Sequence, residues 1–140
     1  MATLTATKFQ SFSEALCEKK HNLATDDLRV YFTNAAPNAA TNTVKADIAE
    51  IAGGNGYTAG GIAVTVTSSS QTGGAYTLAV SVDATITATG AVGPYSHYVL
   101  YNNTATNDEL IAFWPIGATV TLAASDTQRV QLSSPLITLS

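Results

Sequence analysis

A chain of 140 residues with a formal net charge of −4 is sized for one domain and is long enough to bury a core without staples. Only 11% of its residues are charged, against roughly 25% in ordinary soluble domains, so Thr, Ser, Asn, Ala and Gly must cover a surface that is weakly repelled from its own copies. The acidic balance excludes nucleic acid as the main partner, because Lys19-Lys20 is the only basic pair and no phosphate-binding stripe can be built from it.

The elements follow in chain order. Lys8 to Lys20 reads as a short helix, with Phe9, Phe12 and Leu16 on one face, Thr7 as N-cap and Asn22 as terminator. Cys17, the single cysteine, excludes an internal disulfide framework and is expected as a small buried or half-buried side chain. Asp27 to Thr33 alternates as a half-buried strand with Leu28, Val30 and Phe32 inward. A small-residue loop covers 34–43, and Val44 to Ile51 suits a short helical turn stopped by glycines.

From Gly61 the period is two. Ile62, Val64 and Val66 lead to a Gln71-Thr72-Gly73-Gly74 turn. A long return strand carries Tyr76, Leu78, Val80, Val82, Ala84, Ile86 and Ala88 on one face. Its length, beyond the roughly 5–6 residues of a typical strand, predicts a bend or bulge near Asp83. Gly90 and Gly93-Pro94 break it. Tyr95–Tyr101 and Leu110–Trp114 are apolar on both faces and flank a polar turn. Val120 and Leu122 are expected to pair with Val130 and Leu132 across the turn 124–127, and Leu136–Leu139 makes a last strand. The fold class is mainly β: an antiparallel β-sandwich or jelly-roll-like domain preceded by one short N-terminal helix. One domain, 1–140, divides into a helix and strand (8–33), an extended small-residue and glycine loop (34–61) and the sandwich (62–140).

Gly54-Asn55-Gly56-Tyr57-Thr58-Ala59 matches the Gly-x-Gly-x-x-Gly/Ala fingerprint. That fingerprint needs a following helix and an acid about 20 residues on, whereas a period-two strand follows and Ile51 to Val82 holds no charged residue. The motif therefore reads as a pliant glycine-rich lead into the β-domain, able to lie across a neighbouring subunit. His21 and His97 are too few for a metal site and read as packing or surface histidines. Asp26-Asp27 and Asp108-Glu109 read as solvated turn and cap residues rather than a carboxylate pair for glycoside hydrolysis. Asn102-x-Thr104 is formally a glycosylation sequon, but nothing marks secretion: no signal peptide is visible at Met1–Thr7 and no apolar run reaches the roughly 18 residues of a membrane span. No catalytic residue, metal or cofactor is expected. Tyr95, Tyr98, Tyr101, Phe113 and Trp114 read first as core and second as an interface or carbohydrate-binding rim. With Tyr57 they make up the candidate interface residues.

Four stretches together resemble a group of small tailed-bacteriophage virion proteins. They are Leu28-Arg29-Val30-Tyr31-Phe32-Thr33-Asn34-Ala35-Ala36-Pro37, residues 43–51, Gly56-Tyr57-Thr58-Ala59-Gly60-Gly61, and residues 93–111 followed by Trp114. The resemblance implies a non-enzymatic virion component, assembled in the host cytoplasm. Its first-ranked role is a capsid decoration (cement) protein, a homotrimer contacting the major capsid protein or neighbouring virion proteins. Second comes a tail or head-fibre component binding host glycans; a phage-borne glycan hydrolase ranks third, from another class and supported only by the scattered carboxylates.

Overall fold

The computed structural model describes residues 6–133 and 137–139. The elements are β1 (Thr7–Lys8), α1 (Ser11–Cys17), β2 (Leu28–Thr33), a 3-10 turn (Lys45–Asp47), β3 (Ile62–Thr72), β4 (Ala75–Thr87), β5 (Val92–Asn102), β6 (Leu110–Leu122), β7 (Thr127–Ser133) and β8 (Ile137–Leu139). All strand pairs are antiparallel. They run in the order β1-β6-β5-β2-β3-β4-β7, with β8 also on β4. The protein is a mainly β, sandwich-like fold with one short helix.

One sheet makes two layers because β3 serves both. Ile62–Val64 pair with β2, whereas Thr65–Thr72 pair with β4. Thr67 is an extra residue in that ladder, since Val66 faces Val80 and Ser68 faces Ala79. Such a bulge bends the strand and increases its twist, and the sheet curls over at this point. The expected irregularity is therefore on β3 and not near Asp83, which pairs in regular register with Gln131.

The curl closes Leu28, Val30 and Phe32 of β2 and Leu100 and Trp114 of β5 and β6 against Leu78, Val80, Val82 and Ile86 of β4 and Val130 and Leu132 of β7. Strand alternation sends Tyr31, Val99, Tyr101 and Leu110 to the opposite face, where Phe9 and Ile48 cover them in a second cluster. β2 is thus buried on both faces rather than half-buried. It also lies at the centre of the sheet between β5 and β3, so the sandwich is not confined to 62–140.

Three local expectations change. The helix is shorter than Lys8–Lys20. Thr7 and Lys8 pair instead with Phe113 and Ala112, and Gln10 occupies the cap position without a side-chain bond. Phe9 and Phe12 consequently enter different clusters instead of sharing a face. Lys19 at φ 63° ends the helix, with the Lys20 N–H donating to the Ala15 carbonyl at 2.9 Å, a left-handed closure that comes before Asn22. Cys17 is exposed, because the helix turns Phe12 and Ala15 inward.

Val120 and Leu122 pair with Tyr95 and Val92 of β5, while Val130 and Leu132 pair with Ala84 and Val82 of β4. The expected β6–β7 hairpin is instead a corner between layers. Asp126 Oδ2 accepts the Ala123 N–H at 2.9 Å, and the Ser125 N–H donates to the Ala88 carbonyl while the Ala88 N–H donates to the Asp126 carbonyl, which holds this corner on the end of β4. The Gln71–Gly74 turn is present, with Gly73 and Gly74 both at positive φ, as a two-residue hairpin turn requires. Of the expected last strand, Ile137–Leu139 is observed; Leu136 lies outside the described residues.

Candidate functional site

The glycine loop is fastened to its own chain. Gly54 and Tyr57 bond each other's backbones at 2.7 and 3.0 Å, with Asn55 and Gly56 at positive φ between them. Tyr57 folds inward and stacks on Phe32 with 5.1 Å between ring centroids. Its hydroxyl accepts the Phe32 N–H at 3.1 Å and donates to Glu50 Oε1 at 2.7 Å. Burial, and then that bond to Glu50, hold the Tyr57 hydroxyl far above its ordinary pKa.

Glu50 organises the strap. Its Oε1 also accepts the Gly60 N–H at 2.8 Å, and its Oε2 pairs with Lys45 Nζ at 2.7 Å. That ammonium lies 4.9 Å from the centre of the Tyr31 ring, a cation–π contact. Tyr101 donates its hydroxyl to the Gly60 carbonyl at 2.6 Å. Gly61 lies so close to β2 that a Cβ would strike the Val30 carbonyl, and Gly56 abuts the Thr87 carbonyl in the same way. The loop is therefore an intramolecular strap rather than a pliant arm. No helix follows it, so the fingerprint has no pyrophosphate-binding geometry.

A second network surrounds Asn102, which is fully buried and so gives its sequon no accessible acceptor. Asn102 Oδ1 accepts the Thr104 and Ala105 N–H groups at 2.9 and 3.2 Å. Its Nδ2 faces His21 Nδ1 at 3.0 Å and Asp26 Oδ2 at 2.6 Å. Asp26 Oδ2 also accepts the Asn22 N–H at 2.7 Å. His21 is 7% exposed, and burial lowers its pKa. Glu109, expected as a solvated acid, is 5% exposed and accepts the Asn107 N–H at 3.3 Å. A shallow recess of about 450 Å³ opens beside these groups, between Lys19, Lys20 and Asp26 on one side and Thr104–Asn107 on the other.

The remaining candidates are dispersed. Asp27 is held by Arg29 Nε and Asn103 Nδ2, both at 2.9 Å, and Asp108 occupies a left-handed position at φ 54°. His97 on β5 contacts Ser96 Oγ at 2.8 Å, apart from the His21 network. Among the described residues no group of three or more His, Cys, Asp or Glu is placed to hold a metal ion, and no helix is long and apolar enough to cross a membrane.

The aromatic residues are interior. Tyr57, Tyr95, Tyr98, Tyr101 and Trp114 are all buried, and Phe32 gathers Tyr57, Tyr95 and Tyr98 at centroid distances of 4.7–5.1 Å. Of the six candidate interface residues, only Phe113 keeps partial exposure. The first reading of the strand aromatics, as core, holds for Tyr95, Tyr98, Tyr101 and Trp114, and the interface reading is left with Phe113 alone.

The outward surface is different in kind. On β3 every residue from Thr67 to Thr72 is exposed, so this arm of the β3–β4 hairpin lies outside the core while Leu78 and Val80 on the β4 arm stay buried in it. The hairpin continues from the strap, and the whole stretch Ile51–Val82 is without charge. Sequence reading found the charge-free stretch, but the period-two pattern did not reveal that Thr67–Thr72 leaves the core. Asn102 and Glu50 were missed, because a polar residue beside a turn looks solvated until its partners from distant segments are placed.

These features define an antiparallel β protein with two structural polar networks and a charge-free hairpin whose β3 arm is exposed. Comparison of the chain with protein-family models, curated proteins and solved structures finds no match.

Proposed function

We propose that this chain is a non-enzymatic bacteriophage virion structural protein, acting as a capsid decoration (cement) protein on the head shell. The observation that carries the reading is the charge-free stretch Ile51–Val82, whose hairpin half is exposed on both strand faces at Thr67–Thr72. A Ser/Thr surface of this kind is buried against a neighbour without desolvating charges, and its hydroxyls and strand-edge amides offer hydrogen bonds across a seam. Partner contacts that exist only in the folded, assembled state stabilise the shell by mass action. The sequence resemblance to tailed-phage virion proteins points the same way.

In this reading the hairpin is the part that reaches the major capsid protein or a neighbouring copy. The helix and the 34–61 segment pack on their own domain, through Phe12 and Ala15 and through Ile48 and Tyr57. The alternative of a fibre component reading host glycans loses its aromatic platform to the core. Scattered carboxylates engaged by backbone amides and cations likewise give no support to a hydrolase.

The test is stoichiometry in purified particles, by quantitative mass spectrometry against the major capsid protein. A ratio near that of the capsid subunit is expected, together with a homotrimer in analytical ultracentrifugation. A handful of copies per particle, or none, overturns the decoration role.

A further inference from the structure

The Asn102 amide is oriented by its surroundings. Its Oδ1 must be the atom receiving the Thr104 and Ala105 N–H groups, because backbone N–H groups only donate. Its Nδ2 therefore points at His21 Nδ1 and Asp26 Oδ2. An amide nitrogen donates, so His21 Nδ1 must accept and carry no proton. The imidazole is then neutral, with its proton on Nε2, a buried atom that has no partner among the described residues.

We infer that His21 is an acid-operated latch: neutral, it holds Asn102 and with it the 102–108 turn, and protonated, it releases both. A proton on Nδ1 would set two N–H donors against each other. Rotating the amide does not resolve the clash, since it would turn NH2 toward the Thr104 and Ala105 donors and an oxygen toward the Asp26 carboxylate. The segment 22–26, bound to the same amide through Asp26, loosens with the turn. The recess between Lys20 and Thr104–Asn107 opens as a result.

The groups facing His21 are known from each side. Phe12 of α1 packs on the ring at 5.3 Å between centroids, Lys20 precedes it, Asp26 approaches from the following segment, and Glu109 from the start of β6. Asp26 and Glu109 favour the imidazolium, whereas burial and Lys20 oppose it, and burial is the largest influence. His21 thus binds its proton at lower pH in the fold than in the unfolded chain. The stability it contributes is present above the ordinary histidine value of about 6.5 and is lost as pH falls below it. Burial lowers His97 in the same direction, so bulk stability does not separate the two and a site-resolved readout is needed.

The experiment is ¹⁵N NMR of the intact chain, titrated from about pH 8 to about pH 4.5 across the histidine range. His21 is expected as the Nε2–H tautomer at neutral pH. As it protonates, the amides of Thr104 and Ala105 should shift in step with it and exchange about tenfold faster relative to Val99 and Leu100, the mark of a local opening. His97→Gln should leave this transition in place and His21→Gln should remove it; the wild-type titration decides alone if the latter variant does not fold. An Nδ1–H tautomer at neutral pH overturns the latch, as does His21 titration that leaves the Thr104 and Ala105 amides unmoved.

Discussion

Tyr57 does two things with one hydroxyl: it satisfies the buried Phe32 N–H and holds the carboxylate that pins Gly60. Tyr57→Phe keeps the stacking but leaves that N–H without its partner, for an expected loss of about 1–3 kcal/mol in urea denaturation. Gly61 is constrained by backbone rather than side chain. At φ +86° with the Val30 carbonyl against its missing Cβ, Gly61→Ala should cost more than about 1 kcal/mol; a melting temperature equal to wild type would refute the close approach. The tyrosines supply a third test. Burial pushes Tyr98 and Tyr101 up to about 12 and Tyr31, Tyr57 and Tyr95 higher still. A hydroxyl raised in the fold stabilises it below the unfolded value of about 10, and that stability is lost as pH rises above it. In an alkaline absorbance titration these five should ionise only as the fold gives way. The burial of Tyr95, Tyr98 and Tyr101 was legible as apolar strand context, but that of Tyr31, read on the polar face of β2, and of Tyr57, read in a pliant loop, was not, and neither were the hydroxyls' partners. Glu50, Gly60 and Gln128, the last bound to Tyr95, lie too far along the chain for a local pattern to indicate them.

Element by element, the legible features were those that a few neighbouring residues encode. The Gly73-Gly74 turn and the strand alternation in β2 and β4 depend on local steric demands, whereas the helical turn expected over Val44–Ile51 is only Lys45–Asp47 and ends at an extended Ile48, before the glycines. Pairing partners depend on which apolar face meets which, and that remained open. Val120 and Leu122 would bury equally well beside β7 or β5, and the corner bonded through Ser125, Asp126 and Ala88 selects β5. The bulge was misplaced for the same reason. Strand length suggested an irregularity in β4, whereas the extra residue is Thr67 of β3, where the sheet must turn from one layer to the other. The hairpin gives a clean contrast with Gly61. Gly73 has φ 59° and nothing within 4 Å of a Cβ, a conformation that asparagine tolerates. Gly73→Asn should leave the unfolding midpoint close to wild type.

At the scale of the molecule, the two polar networks and the two apolar clusters divide the labour. The networks hold segments that carry little apolar side chain, at 45–61 and 102–109, while the clusters hold the layers together. The exposed Ser/Thr run Thr67–Thr72 of β3 belongs to neither, which is why its role is sought outside the domain. The position of β2 has a consequence for how the chain acquires its shape. This central strand, made early in synthesis, gains its full pairing only from β5, and the edge contact of β1 waits for β6. Pairings between distant parts of a chain carry a loop-closure cost before they stabilise anything, and they slow folding toward milliseconds to seconds. The emerging chain therefore has no stable subset of strands to settle into. A version ending at Asn107 should remain unfolded by circular dichroism, and on the ribosome the domain should become protease-resistant only after β6 has emerged.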